Sequence, residues 1–137
     1  MANQGTVLVK IYLVRHGETS YNRDHLGLGR TDVPLTEFGN RQAAAAARRV
    51  SELGVGLIYT SPLQRASALA DMAAEGLGIE AIRRDELLEM DVGETEGVPF
   101  TVLRERYPGF LESWAGDGAE SKRMPGGESV EDVDARL

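Results

Sequence analysis

Arg15, His16 and Gly17 stand in a row in the stretch YLVRHGETSYN, directly behind an apolar, β-branched run. An arginine beside a histidine at such a place suits an oxyanion. The guanidinium offers a planar fork of donors to phosphate oxygens. A neutral imidazole is a nucleophile when its second ring nitrogen is anchored by a hydrogen bond. Gly17 lets a substrate or another backbone approach closely. Arg65 lies early in a segment that opens with Ser61-Pro62. There it can add a second guanidinium to the same pocket, and a helix N-terminus would add donor N–H groups. Taken singly, each of these side chains serves equally well as half of a surface ion pair. Chemistry requires that the fold bring them together.

The elements that must do so can be read from the pattern of residues. Residues 7–14 (VLVKIYLV) read as a buried strand. Residues 15–35, with several glycines and a proline, read as a loop. Thr36 is placed as an N-cap for a helix through Gln42, alanines 43–47 and Val50 to Leu53, with Gly54 at its C-terminal end. Residues 57–60 (LIYT) read as a short strand. Ser61-Pro62 then opens a second helix, to about Glu75, with proline in its first turn. Residues 79–83 read as a third strand, EMDVGETEG as a loop, and 100–107 and 110–114 as short helical pieces around Pro108-Gly109. After the loop MPGGES, Ser129 with Asp132 forms a capping pattern, and Val130, Val133 and Leu137 recur at helical spacing. Strand, helix, strand, helix, strand implies an α/β fold with a parallel sheet. Ligands of such sheets lie beyond the carboxyl ends of the strands. His16 and Ser61 both sit just past predicted strand ends, so Arg15, His16 and the segment leading to Arg65 are expected to face one crevice.

The composition narrows the partners. The 137 residues fall within the size of one domain, and 42% hydrophobic content suffices for a core. A net charge of −7 argues against a general nucleic-acid or anionic-membrane surface. No apolar run reaches the length of a membrane span, and MANQGTVLVKIYLVRHG has neither a basic n-region nor a small-residue cleavage site. A cytoplasmic protein is expected. With no cysteine there are no disulfides and no thiolate metal sites. His16-Gly17-Glu18 matches the H-x-E of zinc deaminases, whose site also needs cysteines. A metal held by His16, His25 and a carboxylate is a further, weaker reading.

The segments LVRHGETSYN, GRTDVPLTEFGNRQA, TSPLQRA, LLEMDVGETEG and PGGES resemble, in order and spacing, the signature of the histidine phosphatase superfamily, the phosphoglycerate mutase-like family. The resemblance covers nearly the whole chain. It implies a three-layer α/β/α fold with a mostly parallel sheet and a single domain over 1–137. It also implies that His16 is the histidine that is phosphorylated. Arg15 and Arg65 would hold the phosphoryl oxygens, Asn22 would also contact phosphate, and Glu89 would protonate the leaving oxygen. Fixed cations offset the charge on the equatorial oxygens of a transferring phosphoryl group. Glu18 and Thr19 would support the loop, and Glu94 and Glu96 are alternatives for the acid. No metal or other cofactor is implied, and the partner is a small phosphorylated substrate.

Two departures stand out. Many relatives carry Gln or Ser where Leu28 stands. The family's second catalytic histidine, in an S-H-G stretch after a later strand, has no counterpart, since only His16 and His25 are present. The chain is therefore expected to be an N-terminal portion, incomplete at its C-terminus and inactive by itself. A gap in its sheet is expected between 7–14 and 57–60, with Val130, Val133 and Leu137 short of core partners. The expected function of the complete protein is phosphomonoester hydrolysis through a phosphohistidine at His16. The loop NRDHLGLGRTDVPLT and GETEGVPF resemble the small phosphatase branch. The alternatives are phosphoglycerate mutase-type phosphoryl transfer, an isomerase reaction, and a non-catalytic phospho-ligand-binding or interaction role.

Overall fold

The computed structural model describes residues 9–114 and 116–137. Its centre is a pair of helices against a small parallel sheet. Helix α2 spans Glu37–Glu52. Thr36 caps it as expected, its hydroxyl accepting from the Gly39 N–H at 3.0 Å. Strand β1 (Ile58–Thr60) runs parallel to β2 (Ala81–Arg83), with Tyr59 opposite Ile82. Helix α3 (Gln64–Leu77) is the crossover between them and ends on Gly78 in the left-handed conformation. Alanine is the strongest helix former, and on these two helices it also keeps the contact face low. Ala47 and Val50 of α2 pack with Ala73 of α3, and Val55 and Ile58 close the cluster.

Helix α1 (Ser20–Arg23) lies within the stretch read as loop. Its signal is Thr19-x-x-Asn22. The Thr19 hydroxyl accepts from the Asn22 N–H at 3.2 Å, while the Asn22 Oδ1 accepts from the Thr19 N–H at 3.0 Å. This reciprocal cap needs only a single turn of helix. Helices α4 (Phe100–Arg106), α5 (Phe110–Ser113) and α6 (Val130–Arg136) fall in the segments expected to be helical. Ser129 and Asp132 form the predicted capping box at α6.

Two expectations are corrected. Residues 7 and 8 of the predicted first strand lie outside the described residues. Residues 9–14 form no ladder, and Ile11 and Leu13 are 79% and 94% exposed. An apolar run marks a segment suited to burial on two faces, but a strand also needs a neighbour to pair with. No described segment pairs with 9–14, and residues 58–60 pair with 81–83 instead. The two segments flanking the expected gap are thus unpaired with each other, and Val130 and Leu137 are exposed, at 44% and 72%. The second correction concerns α3. It begins at Gln64, after Pro62, with Leu63 at the N-cap. The Gln64 N–H is taken by Asp32 Oδ1 at 2.8 Å. That helix end is occupied by a carboxylate of the protein's own, so this N–H is not a donor to phosphate.

Candidate active site

The loop carrying His16 is bolted to the start of α2. A Cβ on Gly17 would collide with the Gly39 carbonyl, and one on Gly39 would collide with the backbone of Glu18. Glycine at both positions is what lets the two backbones cross. Glu18 secures the crossing on three sides. Its carbonyl accepts from the Thr36 N–H at 2.9 Å, its carboxylate from the Thr36 hydroxyl at 2.7 Å, and its N–H donates to Gln42 Oε1 at 2.8 Å. Glu18 supports the loop by these bonds, and Thr19 by capping α1.

His16 is held by its own neighbour. Nδ1 lies 2.6 Å from the Gly17 carbonyl oxygen. A carbonyl only accepts, so Nδ1 carries the proton and Nε2 presents its lone pair. Burial lowers the His16 pKa from its ordinary value, and the charges of Arg65 and Arg15 lower it further. The Gly17 hydrogen bond and the Glu89 carboxylate pull the other way without reversing the shift. The imidazole is therefore neutral at neutral pH, with the Nε2 lone pair available.

A cleft of about 350 Å³ opens beside it, lined by Arg15, His16, Asn22 and Glu89 together with Tyr21, His25, Leu26, Leu28 and Phe100. Arg15 is exposed at its wall. Asn22 commits Oδ1 to the Thr19 cap, so its amide NH₂ takes no part in the cap. Arg65 is 1% exposed and is not part of the cleft wall. Its guanidinium donates from Nη2 to the Gly29 carbonyl at 2.6 Å and from Nη1 to the Thr31 carbonyl at 2.9 Å. Its charge still reaches His16. Neither Arg15 nor Arg65 forms an ion pair among the described residues.

Glu89 enters the cleft from an exposed loop, with Oε1 accepting from the Met90 N–H at 2.9 Å. Several side chains hold that loop. Arg136 donates to the carbonyls of Glu86 and Leu88, and Arg30 Nε donates to the Glu89 carbonyl at 3.4 Å. Glu128 accepts from the Asp91 N–H at 2.8 Å and pairs with Arg30 at 2.9 Å. None of Arg30, Glu128 or Arg136 was singled out by the sequence reading, because the backbone groups they bind lie 37 to 59 residues away.

The two alternative acids are committed elsewhere. Glu94 accepts from the Tyr107 hydroxyl at 2.8 Å, and Glu96 binds the backbone of residues 29–31. Neither lines the cleft. His16, His25 and Glu89 share the cleft, but among the described residues no three His, Asp or Glu side chains come together as a metal site. No helix of the described residues is long and apolar enough to cross a membrane.

The chain's relatives share this architecture. Residues 11–137 match the family model of the histidine phosphatase superfamily, branch 1. A protein named probable phosphoglycerate mutase GpmB from Cronobacter sakazakii is 38% identical over 130 residues, which are 95% of this chain and 60% of that protein. The namesake from Klebsiella pneumoniae is 35% identical over the same shares. Among solved structures, a mycobacterial glucosyl-3-phosphoglycerate phosphatase superimposes with a TM-score of 0.81 at 33% identity, over 88% of this chain and 56% of that one. The chain thus spans about 60% of the length of the curated relatives it matches.

Proposed function

Since the chain belongs to the histidine phosphatase superfamily, branch 1, we propose that the protein hydrolyses phosphomonoesters through a phosphohistidine at His16. The observation that carries the proposal is the state of His16. Its Nδ1 proton is fixed on the Gly17 carbonyl, and burial and two guanidinium charges keep the ring neutral beside the cleft that Glu89 enters.

The residues suggest the following sequence of events. Nε2 attacks phosphorus as the bond to the leaving oxygen breaks, and the Glu89 carboxyl gives a proton to that oxygen. Arg15, Arg65 and the Asn22 amide bind the phosphoryl oxygens, whose charge they offset. Water then attacks the phosphohistidine. Glu89 takes its proton, and cleavage of the P–N bond restores neutral His16. Of the substrate, only its class follows from this chemistry, a small phosphorylated molecule. The apolar and aromatic side chains of Tyr21, Leu26, Leu28 and Phe100 would contact its non-phosphate part.

Phosphoglycerate mutase-type transfer is the second reading, favoured by the name that the GpmB relatives carry. It needs the same phosphohistidine, but with a sugar-acid hydroxyl rather than water as acceptor. Trapping the full-length protein with a labelled phosphomonoester should give an acid-labile label on His16. Label on His25 or on a serine would overturn the proposal. Release of inorganic phosphate, against transfer to 3-phosphoglycerate, separates the two readings.

A further inference from the structure

Glu96 makes an unusual set of contacts for a carboxylate that does not face the cleft. Oε1 accepts from the N–H of Gly29 at 2.9 Å and of Thr31 at 3.3 Å, and Oε2 accepts from the N–H of Arg30 at 2.9 Å. Three consecutive backbone donors therefore converge on one anion. The chain must curl around the carboxylate to bring them there, and this fixes where the carbonyls of the same segment point. Two of those carbonyls, Gly29 and Thr31, are the acceptors that hold the buried Arg65 guanidinium.

Gly29 is what permits the close approach. A Cβ there would come within 2.7 Å of Val92 Cγ2 and 2.8 Å of Glu96 Oε2. Glu96 is itself anchored from the backbone, its N–H donating to the Gly93 carbonyl at 3.1 Å, and the next residue, Gly97, donates to Gly27 at 2.8 Å. The anion also acts at a distance. Burial lowers the Arg65 pKa from its ordinary value, and Glu89, Glu96 and Asp32 oppose that shift.

We infer that Glu96 is a positioning residue, whose carboxylate shapes the 29–31 segment into the carbonyl cradle that aims Arg65 at the phosphoryl group. The inference rests on the reading of Arg65 as a phosphoryl ligand. A guanidinium has five donors. The cradle commits two of them and so sets the plane in which the others lie. A small misplacement of a group that binds the transferring phosphoryl can cost about 100-fold in rate.

The test is a pair of double-mutant cycles in the full-length protein, read with an aryl phosphate for kcat/KM and with orthovanadate for binding at the phosphoryl site. Glu96→Gln keeps the shape but offers an NH₂ where an oxygen now accepts. It is expected to lower kcat/KM and orthovanadate affinity by about 10- to 100-fold. On an Arg65→Ala background the same substitution should cost less than about threefold, whereas on Arg15→Ala the full loss should remain. If Glu96→Gln does not fold, Glu96→Asp, which keeps the charge on a shorter stem, is carried through the same cycles.

Wild-type kcat/KM and orthovanadate affinity in the folded Glu96 variant would overturn the inference. So would a full loss that persists in an Arg65→Ala protein that is itself impaired, since Glu96 would then act by some route other than Arg65. Wild-type activity in Arg65→Ala alone would remove the reading of Arg65, and this inference with it.

Discussion

The two sides of the cleft are held in different ways. On the His16 side, the histidine stands in a loop crossed against α2 at two glycines and tied by Glu18, Thr36 and Gln42. Those partners lie within 24 residues of one another. Behind them, Arg65 is buried in a cradle of carbonyls. On the opposite side, Glu89 is exposed and its loop has no regular hydrogen-bond ladder. Its neighbours Glu86, Leu88 and Asp91 are held by the side chains of Arg136 and Glu128. In the proposed reaction a nucleophile and its phosphate ligands need a fixed line of attack, which rigidity there would supply. An acid must follow a leaving oxygen whose position varies with the substrate, and a loop clamped by a few long side chains can accommodate that.

The His16 side should give the largest effects when broken. Arg15→Ala and Arg65→Ala are each expected to cost about 2–4 kcal/mol in transition-state stabilisation, measured as kcat/KM. Lysine should rescue Arg65 poorly, because it cannot span two carbonyls and a phosphoryl oxygen with one planar fork. Near-wild-type values for either alanine variant would show that the arginines do not share the phosphoryl group.

The same side predicts a pH dependence. Burial and the two arginines depress the His16 pKa, so the acid limb of kcat/KM should fall below the free imidazole value of about 6.5. Removing the Arg65 charge takes away a cation that disfavours imidazolium, so Arg65→Ala should move that limb upward. A limb that stays in place or moves down in the variant would contradict the assignment. The matching stability effect has a definite sign. A histidine depressed in the folded state leaves stability unchanged above the unfolded pKa. It costs stability as pH falls from there to the folded value, because the unfolded chain binds the proton first.

The Glu89 side should show an effect that depends on the substrate. Glu89→Gln should lose far more activity on alkyl phosphates than on an aryl phosphate with an acidic phenol, whose leaving oxygen needs no proton. Equal losses on both would assign Glu89 a structural role.

The clamp on that side should matter less. Arg136→Ala is expected to lower kcat/KM by about tenfold on alkyl phosphates and little on aryl ones, if looseness of the acid is what it adds. Amide hydrogen exchange should quicken in residues 85–91 and not in 16–22. Equal acceleration in both segments would mean that the two sides are not held independently.

The smallest expected effect is chiefly on stability. Thr19 is fully buried as the cap of α1. Thr19→Ala should cost about 1 kcal/mol of stability, read as a lower denaturation midpoint, with kcat/KM falling only as far as Asn22 loses its orientation.

Local order along the chain carried much of this. Thr36 and Ser129 announced their caps, the alanine run announced α2, and the β1–α3–β2 unit followed from apolar runs separated by a helical segment. All of these are set by neighbours within a few residues, where propensity and side-chain capping act. Arg15, His16, Asn22 and Glu89 were likewise recognisable from their motifs, and the fold places all four on one cleft. Residues 9–14 show the limit of such reading. Their apolar pattern is that of a strand, yet a ladder is a property of two segments, and no described segment pairs with them. Only the tertiary structure decided the start of α3, where Asp32 reaches across to take the Gln64 N–H. It also decided the roles of Glu96 and Glu128, which the sequence presents as two more acids in glycine-rich loops. Their partners are backbone N–H groups brought near by folding. Every non-proline residue carries such a donor, so nothing in residue identity marks the ones a carboxylate will find.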